Sequence, residues 1–120
     1  MKDSRTSRKR ESGTADIPSG DASNFDPIVL DDEESMSLEE LRIDYDDSGG
    51  AAVTVEVYDE DDTVGSGAES DLIDKFRLAA GEDRNPDMVY RDVEDGVLVT
   101  TDGSHDAVIT ITAGGYIISG

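Results

Sequence analysis

The sequence predicts an all-β fold, a small antiparallel β-sandwich of about seven short strands preceded by an extended N-terminal arm. From Leu38 onward, apolar residues alternate with polar ones along short stretches, as in strands with one buried face. Turn sequences rich in Gly and Asp separate these stretches by roughly 8–12 residues, a spacing typical of sandwiches and barrels. Residues 1–36, in contrast, are mostly polar. We therefore expect an arm over residues 1–36 and a sandwich domain over residues 37–120.

Each strand is predicted from its own alternation of apolar and polar residues. Residues 72–80 also fit a helical spacing, but Gly81 ends that stretch early, which favours a strand. Gly114 and Gly115 are expected to divide the last stretch into two strands. The predicted strands are 41–45, 53–58, 72–80, 88–93, 97–101, 107–112 and 116–118. The residues expected in the core are Val53, Val55, Val57, Leu78, Val97, Val99, Ile109 and Ile111.

The charge is strongly unbalanced, with 30 acidic against 10 basic side chains and a formal net charge of -20 at pH 7. Half of the bases lie within residues 1–10, so the negative charge belongs to the rest of the chain. Self-repulsion of this size destabilises a compact state in dilute buffer. In molar salt the Debye length is only about 3 Å, which screens most of that repulsion. The composition therefore predicts a protein adapted to very high salt.

The arm contains the residues that we expect to bind a partner. Its basic stretch suits an acidic protein face, whereas phosphate binding weakens steeply as salt rises, so nucleic acid is not the expected partner. An apolar cluster follows around Pro27, which favours an extended path that can lie in a neighbour's groove. The predicted partner-binding residues are Arg5, Arg8, Lys9, Arg10, Phe25, Ile28, Val29 and Leu30. A separate arm of this kind predicts that its removal abolishes assembly and leaves the sandwich folded, whereas a solvated tail is the simpler alternative.

No motif indicates catalysis, a cofactor or a metal. The chain has no Cys, so it forms neither a disulfide nor a thiolate site. His105 stands between Ser104 and Asp106 beside a predicted turn, where we expect a surface residue, because a catalytic triad assembles across a fold. Asp44 begins a pattern like a calcium loop, but its twelfth position is Val55 instead of the bidentate Glu. Weak cation binding by the acidic loops is left open. No apolar stretch approaches the roughly 20 residues of a membrane span, so no membrane partner is expected.

Three stretches resemble one family of proteins. Residues 76–82 give an apolar strand that ends in an Ala-Gly-Glu turn. Residues 95–103 give a Gly-Val-Leu-Val strand between two turns, and residues 107–112 give a strand that alternates Val or Ile with Thr. This arrangement is similar to the small β-sandwich accessory proteins of tailed-virus particles, over roughly residues 50–118. The resemblance implies a capsid-associated protein of a halophilic virus, with the arm on the shell, and carries over no catalytic residue.

The predicted function is therefore a non-enzymatic structural protein of a halophilic virus particle, a decoration subunit anchored by its arm. Its partners would be the capsid lattice or other subunits, including copies of itself, and its location the virion. An extended arm gains contact area without a core of its own, and symmetry multiplies weak contacts. The alternative is a cytoplasmic protein-binding adaptor of a halophilic archaeon. An enzyme would need convergent carboxylates in a deep cleft.

We expect the stability of the fold to rise from dilute buffer to molar KCl, because salt screens the repulsion among the acidic side chains. Thermal melts followed by circular dichroism at the two salt concentrations measure this effect. A midpoint that is equal or higher in dilute buffer would contradict the adaptation to high salt.

Overall fold

The computed structural model describes residues 7–45, 50–60, 72–85 and 91–119, and these residues form nine β-strands. The strands are β1 (Ser7–Ile17), β2 (Phe25–Val29), β3 (Glu34–Tyr45), β4 (Val53–Tyr58), β5 (Leu72–Leu78), β6 (Asp83–Arg84), β7 (Arg91–Val93), β8 (Gly96–Thr101) and β9 (Ile109–Ser119). Within these ranges there is no helix, and so none that is long and apolar enough to cross a membrane.

The strands form two antiparallel sheets. The first has the order β1-β9-β3-β6, with β7 also paired to β3, and the second has the order β2-β8-β4-β5. Strands β4 and β5 form a hairpin, and the strands before it pair in reverse order with the strands after it. Thus β3 pairs with β6 and β7, β2 with β8, and β1 with β9. If β6 and β7 are counted as one interrupted strand, eight strands fold back on themselves as two Greek keys. This is the jelly-roll arrangement of a β-sandwich.

A single apolar layer between the sheets forms the core. All eight residues that the alternation placed in the core are fully buried, which confirms the predicted sandwich and its buried faces. The preference for a strand over residues 72–80 is confirmed by β5, where Phe76 and Leu78 are buried. The predicted strand 88–93 is described only from Arg91.

The structure differs from the sequence prediction at both ends of the chain. Residues 7–36 are extended as expected, but they supply β1 and β2, which pair within the two sheets, and the start of β3. The predicted boundary at residue 36 therefore falls inside β3. Strand β1 pairs with β9 along its full 11 residues, although Ala15 and Ile17 are its only buried side chains among those described. Backbone pairing needs no apolar side chains, which is why the polar composition concealed this strand.

The predicted break at Gly114 and Gly115 is also absent, because both glycines lie within the continuous strand β9. A Cβ atom at Gly115 would overlap the carbonyl oxygen of Ser37, and one at Gly114 would lie 2.9 Å from Glu40 Oε1. The register between β3 and β9 shifts between Leu38 and Glu40, opposite these glycines. The glycines therefore fit a β-bulge in the neighbouring strand and do not end their own.

Replacing Val55 by Asp should unfold the protein, because it places an unpaired charge in the layer between the sheets. We expect a loss of at least about 3 kcal/mol of stability, a large share of the total for a small domain. Chemical denaturation followed by circular dichroism measures this loss. The matched control is Val108→Asp at a residue that is 50% exposed, which should change stability by no more than about 0.5 kcal/mol. Equal losses in the two variants would refute the observed core.

Candidate functional site

The described part of the chain contains no group of three or more His, Cys, Asp or Glu side chains placed to hold a metal ion. Val55, at the twelfth position of the calcium-like pattern, is buried in β4, and the middle of that pattern lies outside the described residues. Asp59 follows β4 and begins an acidic stretch of the sequence. Its carboxylate accepts hydrogen bonds from the backbone N–H groups of Glu94 and Asp95 at 3.1 and 2.9 Å. This acid therefore anchors the turn between β7 and β8.

His105 is buried, contrary to the expectation of a surface residue, with 1% of its surface exposed. Its Nε2 lies 2.6 Å from the carbonyl oxygen of Pro18, which can only accept, so Nε2 carries the proton and donates. Its own carbonyl accepts from the backbone N–H of Gly20 at 3.0 Å, and Tyr45 packs edge-on against its ring. His105 thus fastens the connection between β1 and β2 to the connection between β8 and β9. The polar residues around it in the sequence gave no signal of this burial.

Ser104, His105 and Asp106 do not form a catalytic triad. The Ser104 hydroxyl lies 2.6 Å from both the Ala52 carbonyl oxygen and Asp102 Oδ1, while Asp106 accepts from the backbone N–H of Ala51 at 3.2 Å. Each of the three side chains therefore bonds to a different part of the fold, and none activates another.

Asp102 joins strands β4 and β5 of the second sheet to this turn. Its carboxylate accepts from Arg77 and from the backbone N–H of Thr54, both at 3.3 Å. Burial alone would raise the pKa of Asp102, but hydrogen bonds from the Ser104 hydroxyl and backbone and from Thr54, together with the Arg77 charge, lower the pKa overall. The carboxylate therefore stays ionised as part of a structural network.

The apolar residues predicted to bind a partner are mostly occupied within the molecule. Ile28 and Leu30 are buried in the core, and Phe25 is partly buried against it. Val29 is the exception, since 60% of its surface is exposed. Strand alternation explains this division, because neighbouring residues of β2 face opposite sides of the sheet. Ile28 and Leu30 hold β2 in its own sandwich, which leaves Val29 as the apolar contact open to a partner.

The basic residues lie in or before β1. Arg5 lies outside the described residues, and Arg8 is paired in register with Ile118. Lys9 is exposed and forms an ion pair with Glu11 at 3.2 Å. Arg10 lies 3.6 Å from Glu39 and 3.8 Å from Glu40, and its guanidinium stacks over the Tyr116 ring. The charge of Arg10 is thus partly neutralised by the acids of β3, while Lys9 is exposed near the start of β1.

A groove of about 330 Å³ lies between β1 and β2. The two strands approach closely at Gly13, where a Cβ atom would overlap the carbonyl oxygen of Pro27. Its walls combine the exposed Val29 with more acids than bases. The residues that line it are Lys9, Glu11, Ser12, Pro27, Ile28, Val29, Asp31, Glu34 and Ile117. An extended segment with basic and apolar side chains would fit this surface, which we call the β1–β2 groove.

No protein-family model matches the chain, and no curated protein matches it in sequence. Solved structures do match its fold. A chain of the acid-stable capsid of a Helicobacter pylori bacteriophage aligns with a TM-score of 0.57 and 8% identity, covering 93% of this chain and 92% of that one. A chain of Bacillus endospore appendages, which form a family of disulfide-linked pili, aligns with a TM-score of 0.55 and 13% identity, covering 99% and 93%.

A third match is the Drosophila NLP core, whose structure provides insight into pentamer formation and histone binding. It aligns with a TM-score of 0.53 and 16% identity, covering 89% of this chain and 96% of that one. At these identities the likeness establishes the sandwich fold. It extends over 89–99% of this chain in the three matches.

Removal of residues 1–36 should unfold the protein, which reverses the expectation drawn from the sequence. The deletion takes away both edge strands of one side of the sandwich, together with the buried Ile17, Ile28 and Leu30. Burying each such side chain contributes about 1.5–3 kcal/mol, so the loss from these three is comparable to the whole stability of a small domain. Circular dichroism and thermal melts at high salt measure the outcome.

The control is removal of residues 1–6, which precede β1 and should leave the melting temperature unchanged. A cooperative melt after removal of residues 1–36 would show that the sandwich folds without β1 and β2.

Proposed function

We propose that this chain is a non-enzymatic structural subunit of a virus particle, a capsid-associated or decoration protein of a halophilic virus. The observation that carries the proposal is the jelly-roll topology. Jelly rolls are a recurrent architecture of viral capsid domains, and the bacteriophage capsid chain shares this fold over nine tenths of both chains. All three reported matches come from proteins whose structures concern assemblies, namely a capsid, a pilus and a pentamer. Among these three kinds of assembly, the resemblance of residues 50–118 to accessory proteins of tailed viruses favours the capsid.

The polar groups of the fold support a structural role. His105, Asp59 and Asp102 each bond to backbone groups of neighbouring turns and strands. The β1–β2 groove is lined by side chains suited to contact with a chain segment. These groups stabilise loops, which suits a subunit that acts through contacts made by its surface.

The chemistry of the chain restricts how such a subunit is held in place. Without Cys it cannot form the disulfide links described for the Bacillus pili. The net charge of -20 opposes close packing of copies unless salt screens it. A particle assembled in a salt-rich host supplies that screening, which is why we assign the subunit to a halophilic virus and the virion.

Anchoring by the N-terminal stretch remains part of the proposal, in a narrower form. Arg5, Arg8 and Lys9 precede or begin β1, where they can reach an acidic neighbour. Val29 adds an exposed apolar contact in the groove that Lys9 also lines. Arg10 is held by Glu39 and Glu40, Ile28 and Leu30 belong to the core, and Phe25 packs against it. The contact therefore centres on the start of β1 and the β1–β2 groove.

A second candidate function is a cytoplasmic adaptor that binds a basic protein. The negative charge favours it, since an acidic surface attracts basic partners. The fold likeness to the Drosophila NLP core, described for histone binding, is compatible with it. The two candidates differ in oligomeric behaviour, because a lattice subunit forms rings or shells and an adaptor stays a monomer until it meets its partner.

We expect the purified protein in molar KCl to form rings, sheets or shells, visible by negative-stain electron microscopy and as large species in sedimentation velocity. Deleting residues 1–6 and replacing Lys9 by Glu should reduce assembly severalfold without changing the melting temperature, because it removes the basic anchor. Lys75→Glu on the second sheet is the matched control, since Lys75 is also exposed and singly paired, to Glu56. A stable monomer that binds a basic protein such as lysozyme, and never assembles, would favour the adaptor instead.

A further inference from the structure

The sandwich has four sheet edges, and three of them carry features that hinder pairing with another chain. Strand β2 has only five residues, with Pro27 and a register shift between Phe25 and Ile28. On the opposite side, β6 and β7 have two and three residues. Strand β5 carries the exposed Lys75 and a shift in register with β4, and Arg84 donates to the carbonyl oxygen of Arg77 at 3.2 Å. Short strands, proline, lysine and irregular register are the usual protections of sheet edges.

Strand β1 has one of these features, the exposed Lys9, and lacks the others. It runs for 11 residues without proline, and its register with β9 is continuous from Ser7 to Ile17. Its other side borders no strand within the part of the chain that the structure describes. Its middle residues, Ser12, Gly13 and Thr14, are small, so another backbone can approach closely. A long, regular edge with small side chains is suited to the addition of a strand.

We propose that β1 pairs with β1 of a second copy, antiparallel and centred on Gly13, so that one sheet runs through both subunits. An antiparallel pair about a two-fold axis places residue 10 opposite residue 16 and residue 12 opposite residue 14. Arg10 of each copy then faces Asp16 of the other, and Ser12 faces Thr14. The inference refines the proposed function by naming a partner, and a dimer that forms without any larger lattice would support it even if the proposed function failed.

The faces of the strand agree with this register. Arg10, Ser12, Thr14 and Asp16 are exposed on the outer face, whereas Ala15 and Ile17 are buried on the inner face. Because the paired positions have equal parity, outer residues of one copy meet outer residues of the other, and the two inner faces remain continuous. Two opposite charges meet on each side of the axis. A pairing centred on Glu11 would instead oppose two Glu11 carboxylates, which is unfavourable.

The intramolecular contacts of Arg10 and Asp16 leave room for this arrangement. The Arg10 side chain is 51% exposed although it lies near Glu39 and Glu40, so its guanidinium has donors to spare for a third carboxylate. Asp16 accepts one hydrogen bond, from the Thr110 hydroxyl at 2.9 Å, and has further lone pairs to offer. Strand β2 underlies β1 at Gly13 through Pro27, on the inner face, and so does not occupy the edge.

The test is a charge-reversal experiment on the whole chain, read by sedimentation equilibrium at the lowest KCl concentration that keeps the protein folded. The wild-type protein should show a concentration-dependent dimer. Arg10→Glu alone and Asp16→Arg alone should each weaken the dimer about tenfold or more, because each turns two attractive pairs into two repulsive ones. An equimolar mixture of the two variants restores both pairs in the heterodimer, and its affinity should return to about that of the wild-type protein.

Two further variants serve as controls. Arg42→Glu reverses a charge on the outer face of β3, away from the edge, and should leave the dimer unchanged. Arg8→Glu keeps both Arg10–Asp16 pairs and should dimerise like the wild-type protein without a partner variant. A wild-type protein that stays monomeric, a mixture of Arg10→Glu and Asp16→Arg that associates no better than either variant alone, or a loss of the dimer in Arg8→Glu would overturn the proposal.

Discussion

The two sheets are held together by one apolar layer, and the acidic side chains have to stay outside it. Strand alternation achieves this separation, since each strand turns one set of side chains inward and the other set to solvent. Among the acids whose burial is described, only Glu60 is buried. The layer is small, and a charge of -20 surrounds it, so the balance between burial and repulsion decides whether the chain folds at all. Screening by salt shifts that balance without altering any contact in the core.

Close backbone approaches make the nested topology possible. Strand β1 can pass over β2 because Gly13 has no side chain to meet Pro27, and β9 can follow the bulge of β3 because Gly115 leaves space for Ser37. Gly96 plays a similar part with φ +145°, a conformation that other residues rarely adopt, where its Cβ position lies 2.5 Å from the Ile28 carbonyl oxygen. At each of these glycines, two backbone segments from different strands approach more closely than a side chain would allow.

The extent to which sequence predicted this structure follows from the same physics. The valines of β4 and the isoleucines of β9 were placed in the core because alternation is a local signal. Strand β1 was missed because its position depends on pairing with β9, about a hundred residues away, and such pairing leaves no apolar pattern when one face is solvated. His105 was missed because its burial is set by Pro18, equally distant in sequence. Among the predicted binding residues, the local sequence could not show that Ile28 is buried and Val29 exposed, since the pairing of β2 in the sheet decides which of them faces the core.

The distribution of charge explains why contact between copies should involve β1. Residues 1–10 carry five of the ten basic side chains. The remainder of the chain is strongly acidic, so these parts of two copies repel each other. At molar salt, where the Debye length is about 3 Å, only charges in direct contact still discriminate between partners. Ion pairs there select the register of an interface, while backbone hydrogen bonds and apolar contacts such as Val29 supply most of its affinity. An edge strand that combines a free backbone, small side chains and both signs of charge meets all of these requirements, and among the described strands β1 does so.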